Sequence, residues 1–594
     1  MLADKDLLSI QEARSKVEKA YAASLQYRTY SQEQVDAIVE RMAAAGREHA
    51  RRLAELAVEE TGYGNAKDKL AKNLLCADLL PRRMRGLKTV GVLREVADER
   101  VVEIAVPVGV VAAILPTTNP TSTAIFKTLI SLKAGNAIVL SPHPNAKRCT
   151  CETADLLYRA AREAGAPEDI IGCITNPTLD STHALMRHER TGVILSTGGH
   201  GIVKAAYSSG KPAFGVGPGN VPVMIERSAD IADAIRKIVE GKSFDYGTVC
   251  SSEQTVVAET GLRDRITAEL TERHAFFCDA RQAGALAKLL ITPQWTVNPK
   301  CVGQPAAKIA QMAGFQVPVD TPVLVAEIEG VGKQHPLSAE KLSPVLSLYF
   351  VSDFAAGIDA CRNLLRFGGL GHTCVIYSQD DSKIRQFALE MPAFRVLVNT
   401  PAPHGSTGIT TNVFPSMTLG CGAIAGNITG DNIGPLHLIN IKRLAYAVRR
   451  PEEALEIPAS VTQSIPTSEI STGKAAIDRQ SVTSAVEKYL NARGLSTGIA
   501  PPAQSVAAQV VDRFLSRHHT NPTPQPPACS APVADPQAQP SPGPSLTIVD
   551  FVCEADVRAA IDAGRKIYIS AKTIVTPSAR ELANRFDILV LAQR

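Results

Sequence analysis

The spacing of hydrophobic residues divides the chain into stretches with different predicted structures. Residues 6–60 carry apolar residues three and four positions apart, which is the period of an amphipathic helix. The apolar positions are Val35, Ile38, Val39, Met42, Leu53 and Leu56. Ser31 and Gln34 have the spacing of a capping box, in which the two side chains satisfy backbone N–H groups at a helix start. We therefore predict helices over the first 60 residues.

From about residue 100, short runs rich in Val and Ile alternate with helical patterns. The predicted strands are 101–105, 108–115, 137–140, 192–196 and 221–225, with helices at 122–132, 147–164 and 202–208. A second alternating stretch covers about 240–420, with strands at 255–258, 345–351, 374–377 and 395–399. Strands that alternate with helices indicate an α/β fold with a largely parallel sheet.

The pattern changes again after residue 450. Residues 451–545 are predicted to be a linker, rich in Ser and Thr at first, with one amphipathic helix near 481–490 and another at 505–517. The nine prolines of residues 521–545 favour an extended chain that cannot pack a core. Residues 546–594 regain alternating character, but about fifty residues make a marginal core. We expect a flexible C-terminal extension that ends in this small segment.

Composition narrows the class of protein. With 594 residues, 45% of them hydrophobic and 21% charged, the chain is typical of a soluble protein with two or more domains. Lys and Arg number 63 against 59 Asp and Glu, so neither a nucleic-acid surface nor a membrane-binding patch is predicted. The polar N-terminus predicts no signal peptide, and no apolar run is long enough to span a membrane.

The chain contains twelve cysteines without any Cys-x-x-Cys pair, and its twelve histidines lack the usual metal-ligand spacings. We therefore predict a reduced cytoplasmic protein with no metal site. Cys250 stands out, because it follows a glycine turn, is flanked by small hydroxylated residues and precedes the apolar run 255–258. Most cysteines are structural, but this context is typical of a nucleophilic thiol at a loop-to-strand junction.

The sequence contains one candidate for a phosphate-binding turn. The Gly-x-Gly-x-x-Gly fingerprint of dinucleotide enzymes does not follow the strand predicted at 108–115. The small residues of 195–201 lie where a strand meets a helix, so their backbone N–H groups could face an anion. Such turns are common, and this one is weak evidence by itself.

Seven segments in chain order together resemble the aldehyde dehydrogenase superfamily. They are 115–120, 133–143, 196–199, 215–220, 247–250, 340–344 and 415–422. The resemblance covers about residues 5–450 and is closest to the CoA-acylating branch, including the aldehyde dehydrogenase half of the bifunctional aldehyde–alcohol dehydrogenases. It implies an α/β fold with a Rossmann-type NAD(P)-binding domain at 1–238 and an α/β catalytic domain at 239–422. Residues 423–450 would return to the first domain as an oligomerisation arm, making a homo-oligomer, either dimer or tetramer.

The resemblance also implies roles for single residues. Cys250 would attack the aldehyde, Asn119 and the Cys250 backbone N–H would bind the oxyanion, and hydride transfer would leave a thioester on Cys250. His372 could assist proton or CoA handling or be structural. The implied cofactor-binding residues are Leu115, Pro116, Thr117, Ser141, Pro142, His143, Thr197, Gly198, Gly199, Gly217, Glu340 and Leu419. Glu340 would bind ribose hydroxyls, while Ser141 replaces a lysine of hydrolytic relatives and leaves NAD against NADP open.

A missing residue points to the acylating branch. Hydrolytic relatives carry a water-activating glutamate in the segment that here is 214–220, yet no carboxylate lies between Lys211 and Glu226. Without that base water is a poor acceptor, so coenzyme A is the expected co-substrate and acyl-CoA the product. Glu253, close to the nucleophile, is expected to make local hydrogen bonds instead. The expected substrate is a short aliphatic aldehyde such as acetaldehyde or propionaldehyde.

Three alternatives stay open at this point. The first is a hydrolytic enzyme, which the missing glutamate disfavours. The second is an acylating enzyme for sulfoacetaldehyde or succinate semialdehyde, which would need a cation in the substrate pocket; the sequence does not place Arg395 or Lys341 there. The third is a non-catalytic shell scaffold, which the presence of both Cys250 and Asn119 disfavours.

The tail suggests a location. Residues 505–517 resemble the encapsulation helices of bacterial microcompartment enzymes, and residues 566–582 resemble segments of other microcompartment-associated proteins. This resemblance implies a cytoplasmic enzyme inside a microcompartment, bound to shell or core proteins through its C-terminal tail. Confinement has a chemical rationale, because small aldehydes are reactive and escape easily.

Overall fold

The computed structural model describes residues 5–455, 484, 488, 548–586 and 588–591. The chain forms two compact units, which are divided between Ala459 and Ser460. The helix predicted at 505–517 and the proline-rich part of the linker lie outside the described residues. So does the helix predicted at 481–490, apart from its helical residues Ser484 and Lys488.

The chain begins with helices, as predicted. They are α1 (Lys5–Tyr27), α2 (Gln32–Glu48), α3 (Ala50–Thr61), α4 (Ala66–Leu74) and α5 (Leu80–Met84). The capping box at the start of α2 is confirmed, because the Gln34 N–H donates to Ser31 Oγ and the Ser31 N–H donates to Gln34 Oε1. Val35, Ile38 and Met42 of α2 are fully buried in the first hydrophobic core.

The first sheet contains five parallel strands in the order β5-β4-β3-β6-β7. Its elements are β3 (Val110–Ile114), α6 (Pro120–Lys133), β4 (Ala137–Ser141), α7 (Lys147–Glu163), β5 (Ile171–Cys173), α8 (Leu179–Arg187), β6 (Thr191–Thr197), α9 (His200–Tyr207) and β7 (Ala213–Val216). The strand order reverses between β3 and β6, and ligands of open α/β sheets bind at such a switch point.

The strand predicted at 101–105 is confirmed, but it lies outside the five-stranded parallel sheet. It belongs to β2 (Val101–Pro107), which pairs antiparallel with β1 (Val92–Val96) and with β15 (Ile439–Ala445). A short Val-rich run predicts a strand but shows neither its direction nor its sheet; the alternating burial of β2 is that of a half-buried antiparallel strand. β15 falls within the predicted arm 423–450, and its role in oligomerisation stays a prediction.

The second sheet contains seven parallel strands in the order β10-β11-β12-β9-β8-β13-β14. Its strands are β8 (Val221–Ile225), β9 (Glu253–Glu259), β10 (Phe276–Phe277), β11 (Leu324–Glu327), β12 (Val345–Val351), β13 (Gly371–Tyr377) and β14 (Ala393–Val398). Its helices are α10 (Ile231–Ser243), α11 (Arg263–Glu272), α12 (Ala280–Leu290), α13 (Ala306–Met312), α14 (Phe354–Leu364), α15 (Asp381–Glu390) and α16 (Ala402–Ser406), and α17 (Pro451–Leu455) follows β15.

The predicted domain boundary at residue 238 is wrong. β8 and α10 belong to the second sheet and its core, so the chain crosses between the sheets at residues 217–220. The five residues of β8 are all buried. A continuous apolar run of this kind shows that a strand is internal but does not show which sheet contains it.

The second unit contains the predicted alternation of strands and helices. Its elements are β16 (Ile548–Val552), α18 (Glu554–Asp562), β17 (Ile567–Val575), α19 (Pro577–Phe586) and β18 (Leu589–Leu591). The strands are parallel, in the order β16-β17-β18, and Val552, Val557 and Ala583 are buried in a core of their own. Across both units, none of the helices in the described part of the chain is long and apolar enough to cross a membrane.

Candidate active site

A cavity of about 640 Å³ lies at the carboxyl ends of β3 and β6. All twelve residues predicted to bind a cofactor line it, and so do Cys250 and Asn119. His372 reaches Cys250 from the buried strand β13, with its Nε2 3.2 Å from Cys250 Sγ. Every predicted site residue therefore comes to one place, although the segments are spread over more than 300 positions of the chain. Their functional roles remain predictions.

The loop before Cys250 has an unusual backbone. Asp245, Tyr246 and Gly247 follow one another with φ angles of 48°, 52° and 72°. Such angles are rare outside glycine and are found where surrounding structure imposes them, often at functional sites. Gly219 packs on the other side of the nucleophile, since a Cβ at that position would lie 2.2 Å from the Cys250 carbonyl oxygen. Gly219 therefore allows direct backbone contact with Cys250.

A chain of hydrogen bonds extends behind the thiol. His372 Nδ1 lies 2.9 Å from Thr373 Oγ1, and Arg395 Nε donates to the same oxygen over 3.3 Å. Burial, together with a smaller contribution from the Arg395 cation, lowers the pKa of His372 to about 3. The imidazole is therefore neutral at physiological pH.

The thiol itself is protonated in the free protein. Burial raises the pKa of Cys250 to about 12, with smaller contributions from Glu340 and Cys421, while Arg395 opposes the shift. Reaction at neutral pH consequently requires hydrogen-bond donors or positive charge that stabilise the thiolate.

The cavity also has the features of a dinucleotide site. Ser196 Oγ and Thr197 Oγ1 are buried at the end of β6 without a hydrogen-bond partner among the described residues. Next to them, α9 begins after Gly199, and a Cβ at Gly199 or Gly217 would meet nothing within 4 Å. Open space beside a helix N-terminus suits a pyrophosphate, whose oxygens accept from free N–H groups. The residues present therefore fit a nicotinamide dinucleotide.

Comparison with known proteins agrees with this geometry. A model described as the aldehyde dehydrogenase family matches residues 3–277. A solved acetylating aldehyde dehydrogenase from Geobacillus thermoglucosidasius is 50% identical, with a TM-score of 0.75, over 76% of this chain and 99% of that one. The chain belongs to the aldehyde dehydrogenase family. The resemblance inferred from the seven segments and the predicted α/β fold are thereby confirmed.

Two further relatives extend the comparison. A bifunctional aldehyde-alcohol dehydrogenase of Escherichia coli strain K12 is 41% identical over 76% of this chain and 51% of its own length. The chain thus spans about half the length of the curated relatives it matches. A propionaldehyde dehydrogenase from the fucose utilisation bacterial microcompartment of Clostridium phytofermentans is 29% identical, with a TM-score of 0.67, over 73% of this chain and 97% of that one.

Within this member of the family, sequence reasoning missed a buried charge cluster next to Asn119. Lys69 and Lys72 of α4 both contact Asp245 Oδ2, and all three side chains are at most 3% exposed. Thr248 Oγ1 donates to the same carboxylate over 2.5 Å. Burial would raise the pKa of Asp245, but Lys72 and Lys69 hold it below its ordinary value. The spacing of the two lysines places them on one helix face, yet nothing in the sequence links that face to Asp245.

The cluster holds the predicted oxyanion donor. Lys72 Nζ contacts Asn119 Oδ1, and Asn119 Nδ2 lies 3.1 Å from Thr118 Oγ1. An ammonium group can only donate, so the contact identifies Oδ1 and leaves Nδ2 as the donor of the amide. Lys72 therefore fixes which way the Asn119 side chain faces.

Carboxylates near the thiol have other partners. Glu253 accepts from the Ala402 N–H over 2.6 Å, which agrees with the local role expected for it. Glu340 is the single carboxylate among the described residues that line the cavity, and its Oε1 accepts from the Gly219 N–H over 3.0 Å. The family's water-activating glutamate has no counterpart in the segment 214–220.

Proposed function

We propose that this protein is a CoA-acylating aldehyde dehydrogenase that converts an aldehyde, CoA and NAD⁺ into acyl-CoA, NADH and a proton, in either direction. The observation that carries the proposal is the lining of the cavity. The described residues that line it include one thiol, Cys250, and one carboxylate, Glu340, which already accepts a hydrogen bond from the loop that covers the thiol. Without a free base, water competes poorly with a thiol for the thioester.

Each residue of the site has a role in one step of the proposed reaction. The Cys250 sulfur attacks the aldehyde carbon, and the carbonyl oxygen becomes an oxyanion that accepts from Asn119 Nδ2 and the Cys250 N–H. NAD⁺, when bound, supplies the acceptor for the hydride that leaves the carbon as a thioester forms. The CoA sulfur then replaces the Cys250 sulfur on the acyl carbon, and Cys250 returns to its starting state.

The cavity supports an uncharged aldehyde. Of the described residues that line it, none is Lys or Arg. Arg395 donates to the carbonyls of Gly430 and Gly420, and Lys341 donates to the carbonyl of Leu337, so neither cation faces the cavity. The anionic group of sulfoacetaldehyde or succinate semialdehyde would lack a partner there. Short aliphatic aldehydes such as acetaldehyde and propionaldehyde are therefore the proposed substrates.

The same lining favours NAD over NADP. Ser141 Oγ pairs with Thr182 Oγ1 at 2.9 Å, and burial lowers the pKa of the neighbouring His143. A 2′-phosphate is normally held by an arginine or another cation. The described part of the cavity offers none near Ser141, so NAD is the proposed cofactor.

The proposed function is tested by following NADH at 340 nm with propionaldehyde and NAD⁺, with and without CoA. Sustained turnover that depends strictly on CoA is the expected result. Sustained turnover without CoA would show that water resolves the thioester and that the enzyme is hydrolytic. A parallel assay with succinate semialdehyde should be much slower, and an equal rate would contradict the proposed substrate class.

Loss of the oxyanion donor should lower the rate of the chemical step. Asn119→Ala is expected to lower kcat by about 10²- to 10³-fold while KM changes little, because the amide acts mainly on the transition state. Steady-state kinetics with propionaldehyde measure the effect. Thr118→Val, which removes the hydroxyl beside Nδ2 but keeps the amide, is the matched control and should cost far less. A kcat within fivefold of wild type for Asn119→Ala would rule out this role.

We also propose that the tail directs the enzyme into a bacterial microcompartment, where it binds shell or core proteins and works as a homo-oligomer. The sequence resemblance at 505–517 and 566–582 supports this location, as does the microcompartment origin of one solved relative. Deletion of residues 500–594 is expected to leave activity intact, because the cavity is built within the first unit. The truncated enzyme should lose co-sedimentation with purified shells, and retention would contradict the targeting role.

A further inference from the structure

Thr373 Oγ1 lies between two nitrogen atoms, one that can only donate a hydrogen bond and one that can donate or accept. Arg395 Nε is 3.3 Å away and His372 Nδ1 is 2.9 Å away, and all three residues are at most 4% exposed. β13 and β14 pair in parallel with Thr373 directly beside Arg395, so the contact is built into the register of the sheet. These are the two partners found for the Thr373 hydroxyl among the described residues.

The direction of this hydrogen-bond chain follows from its first member. A guanidinium group is always a donor, so Thr373 Oγ1 accepts from Arg395. The hydroxyl proton then has one remaining partner, the lone pair of His372 Nδ1. In the opposite arrangement, with a proton on Nδ1, two donors would face the oxygen and the buried hydroxyl proton would have no acceptor in the described structure. Buried unsatisfied donors are strongly disfavoured.

Arg395 can hold this direction because its own position is fixed. Its Nη1 donates to the Gly430 carbonyl over 3.0 Å, and its Nη2 donates to the Gly420 carbonyl over 2.6 Å. The guanidinium is therefore anchored by backbone groups, and only its Nε–H is directed at Thr373. The Arg395 cation favours the Cys250 thiolate by its charge, and its Nε–H separately sets the direction of the hydrogen bonds through Thr373 and His372.

We propose that Thr373 is a positioning residue that fixes His372 as the neutral tautomer with its proton on Nε2, so that His372 donates a hydrogen bond to the Cys250 sulfur. The inference rests on the proposed function of Cys250 as the nucleophile. In this tautomer Nε2 has no free lone pair, so His372 cannot take the thiol proton at that atom. It stabilises the thiolate as a donor, and the thiol proton leaves to solvent.

A hydrogen bond from His372 to the Cys250 sulfur would stabilise the thiolate, which the surroundings of Cys250 disfavour. Besides burial, Glu340 and Cys421 disfavour the Cys250 thiolate, while Arg395 and the Cys250 backbone N–H favour it. Arg395 is also the charged group that acts on His372. A donor 3.2 Å from the sulfur therefore offsets the burial and the nearby carboxylate that oppose ionisation.

The test measures thiol reactivity and needs no aldehyde or CoA. The full-length protein is treated with iodoacetamide from pH 6 to pH 10, and labelling of the Cys250 peptide is followed by mass spectrometry. Thr373→Val is expected to slow labelling at pH 8 by about 3- to 10-fold and move the profile to higher pH, as loss of one hydrogen bond predicts. Thr373→Ser keeps the hydroxyl and should label within twofold of wild type. Wild-type labelling of Thr373→Val would overturn the proposal.

Two further variants separate positioning from a structural effect. On a His372→Ala background, Thr373→Val should have no additional effect, because its influence passes through the imidazole. An effect that persists there would overturn the proposal. His372→Gln places an N–H near the position of Nε2 and should label faster than His372→Ala; if the two label equally slowly, His372 is not acting as a donor. This comparison decides the question even if Thr373→Val fails to fold.

The outcome is independent of the reaction assignment. Absence of NADH formation with any aldehyde and CoA would overturn the proposed function but leave the labelling profiles unchanged. Conversely, CoA-dependent turnover with no Thr373 effect on labelling would keep the function and remove Thr373 from the account of the thiol.

Discussion

Cys250→Ala is expected to abolish aldehyde-dependent NADH formation, with a loss of at least about 10⁴-fold in kcat. The size follows from the cavity, because Cys250 is the one cysteine among the described residues that line it. Cys421, the other thiol that acts on Cys250, is buried and is not among the described residues that line the cavity, so no second thiol there can take over the attack. NADH formation at 340 nm with propionaldehyde, NAD⁺ and CoA measures the loss.

The matched control is Cys278→Ala, which removes a half-buried thiol outside the cavity and should keep wild-type kcat. A second assay omits CoA. Wild-type enzyme should then release a burst of NADH equal to the enzyme concentration and stop, because the thioester on Cys250 has no acceptor. Cys250→Ala should show neither burst nor turnover. A burst from that variant would mean that another residue carries the acyl group.

Part of the candidate site around Cys250 could be predicted from the sequence. The sequence singled out Cys250, Asn119 and the residues predicted to bind the cofactor, which line one cavity, because they lie in short segments that resemble those of one family. Some of these segments also have a pattern with a local physical reason, such as small residues where a strand meets a helix N-terminus. Whether a strand is internal could also be read from continuous apolar runs, as for β8.

What the sequence did not show depends on contacts between distant positions. The assignment of β8 to the second sheet is set by its pairing with β9 and β13, which no periodicity encodes. Lys72 and Asp245 are 173 positions apart. A lysine in a helical pattern is normally predicted to be exposed to solvent, because the burial of an isolated cation is very unfavourable. Only the fold reveals the carboxylate that makes the burial tolerable.

Asp245→Asn is expected to destabilise the first unit by about 3–5 kcal/mol, because it leaves Lys69 and Lys72 buried without their counter-charge. Asparagine tolerates the left-handed backbone at this position, where φ is 48°, so the substitution tests the charge rather than the turn. Burial already lowers the pKa of Lys72 to about 8 against the opposing influence of Asp245. Without Asp245 that pKa falls further, so the folded state binds fewer protons than the unfolded state at neutral pH. The loss of stability should consequently be larger at pH 6 than at pH 9, which thermal unfolding at both pH values measures.

The double variant Asp245→Asn with Lys72→Met separates stability from catalysis. Removal of one buried cation along with the carboxylate should recover part of the thermal stability, because fewer charges are left unpaired. Activity should not recover, since Lys72 no longer holds Asn119 Oδ1 and the amide is free to rotate away from the oxyanion. We expect a kcat at least tenfold below wild type in the double variant despite its improved stability. If kcat recovers together with stability, the cluster merely supports the fold, and Asn119 keeps its orientation without Lys72.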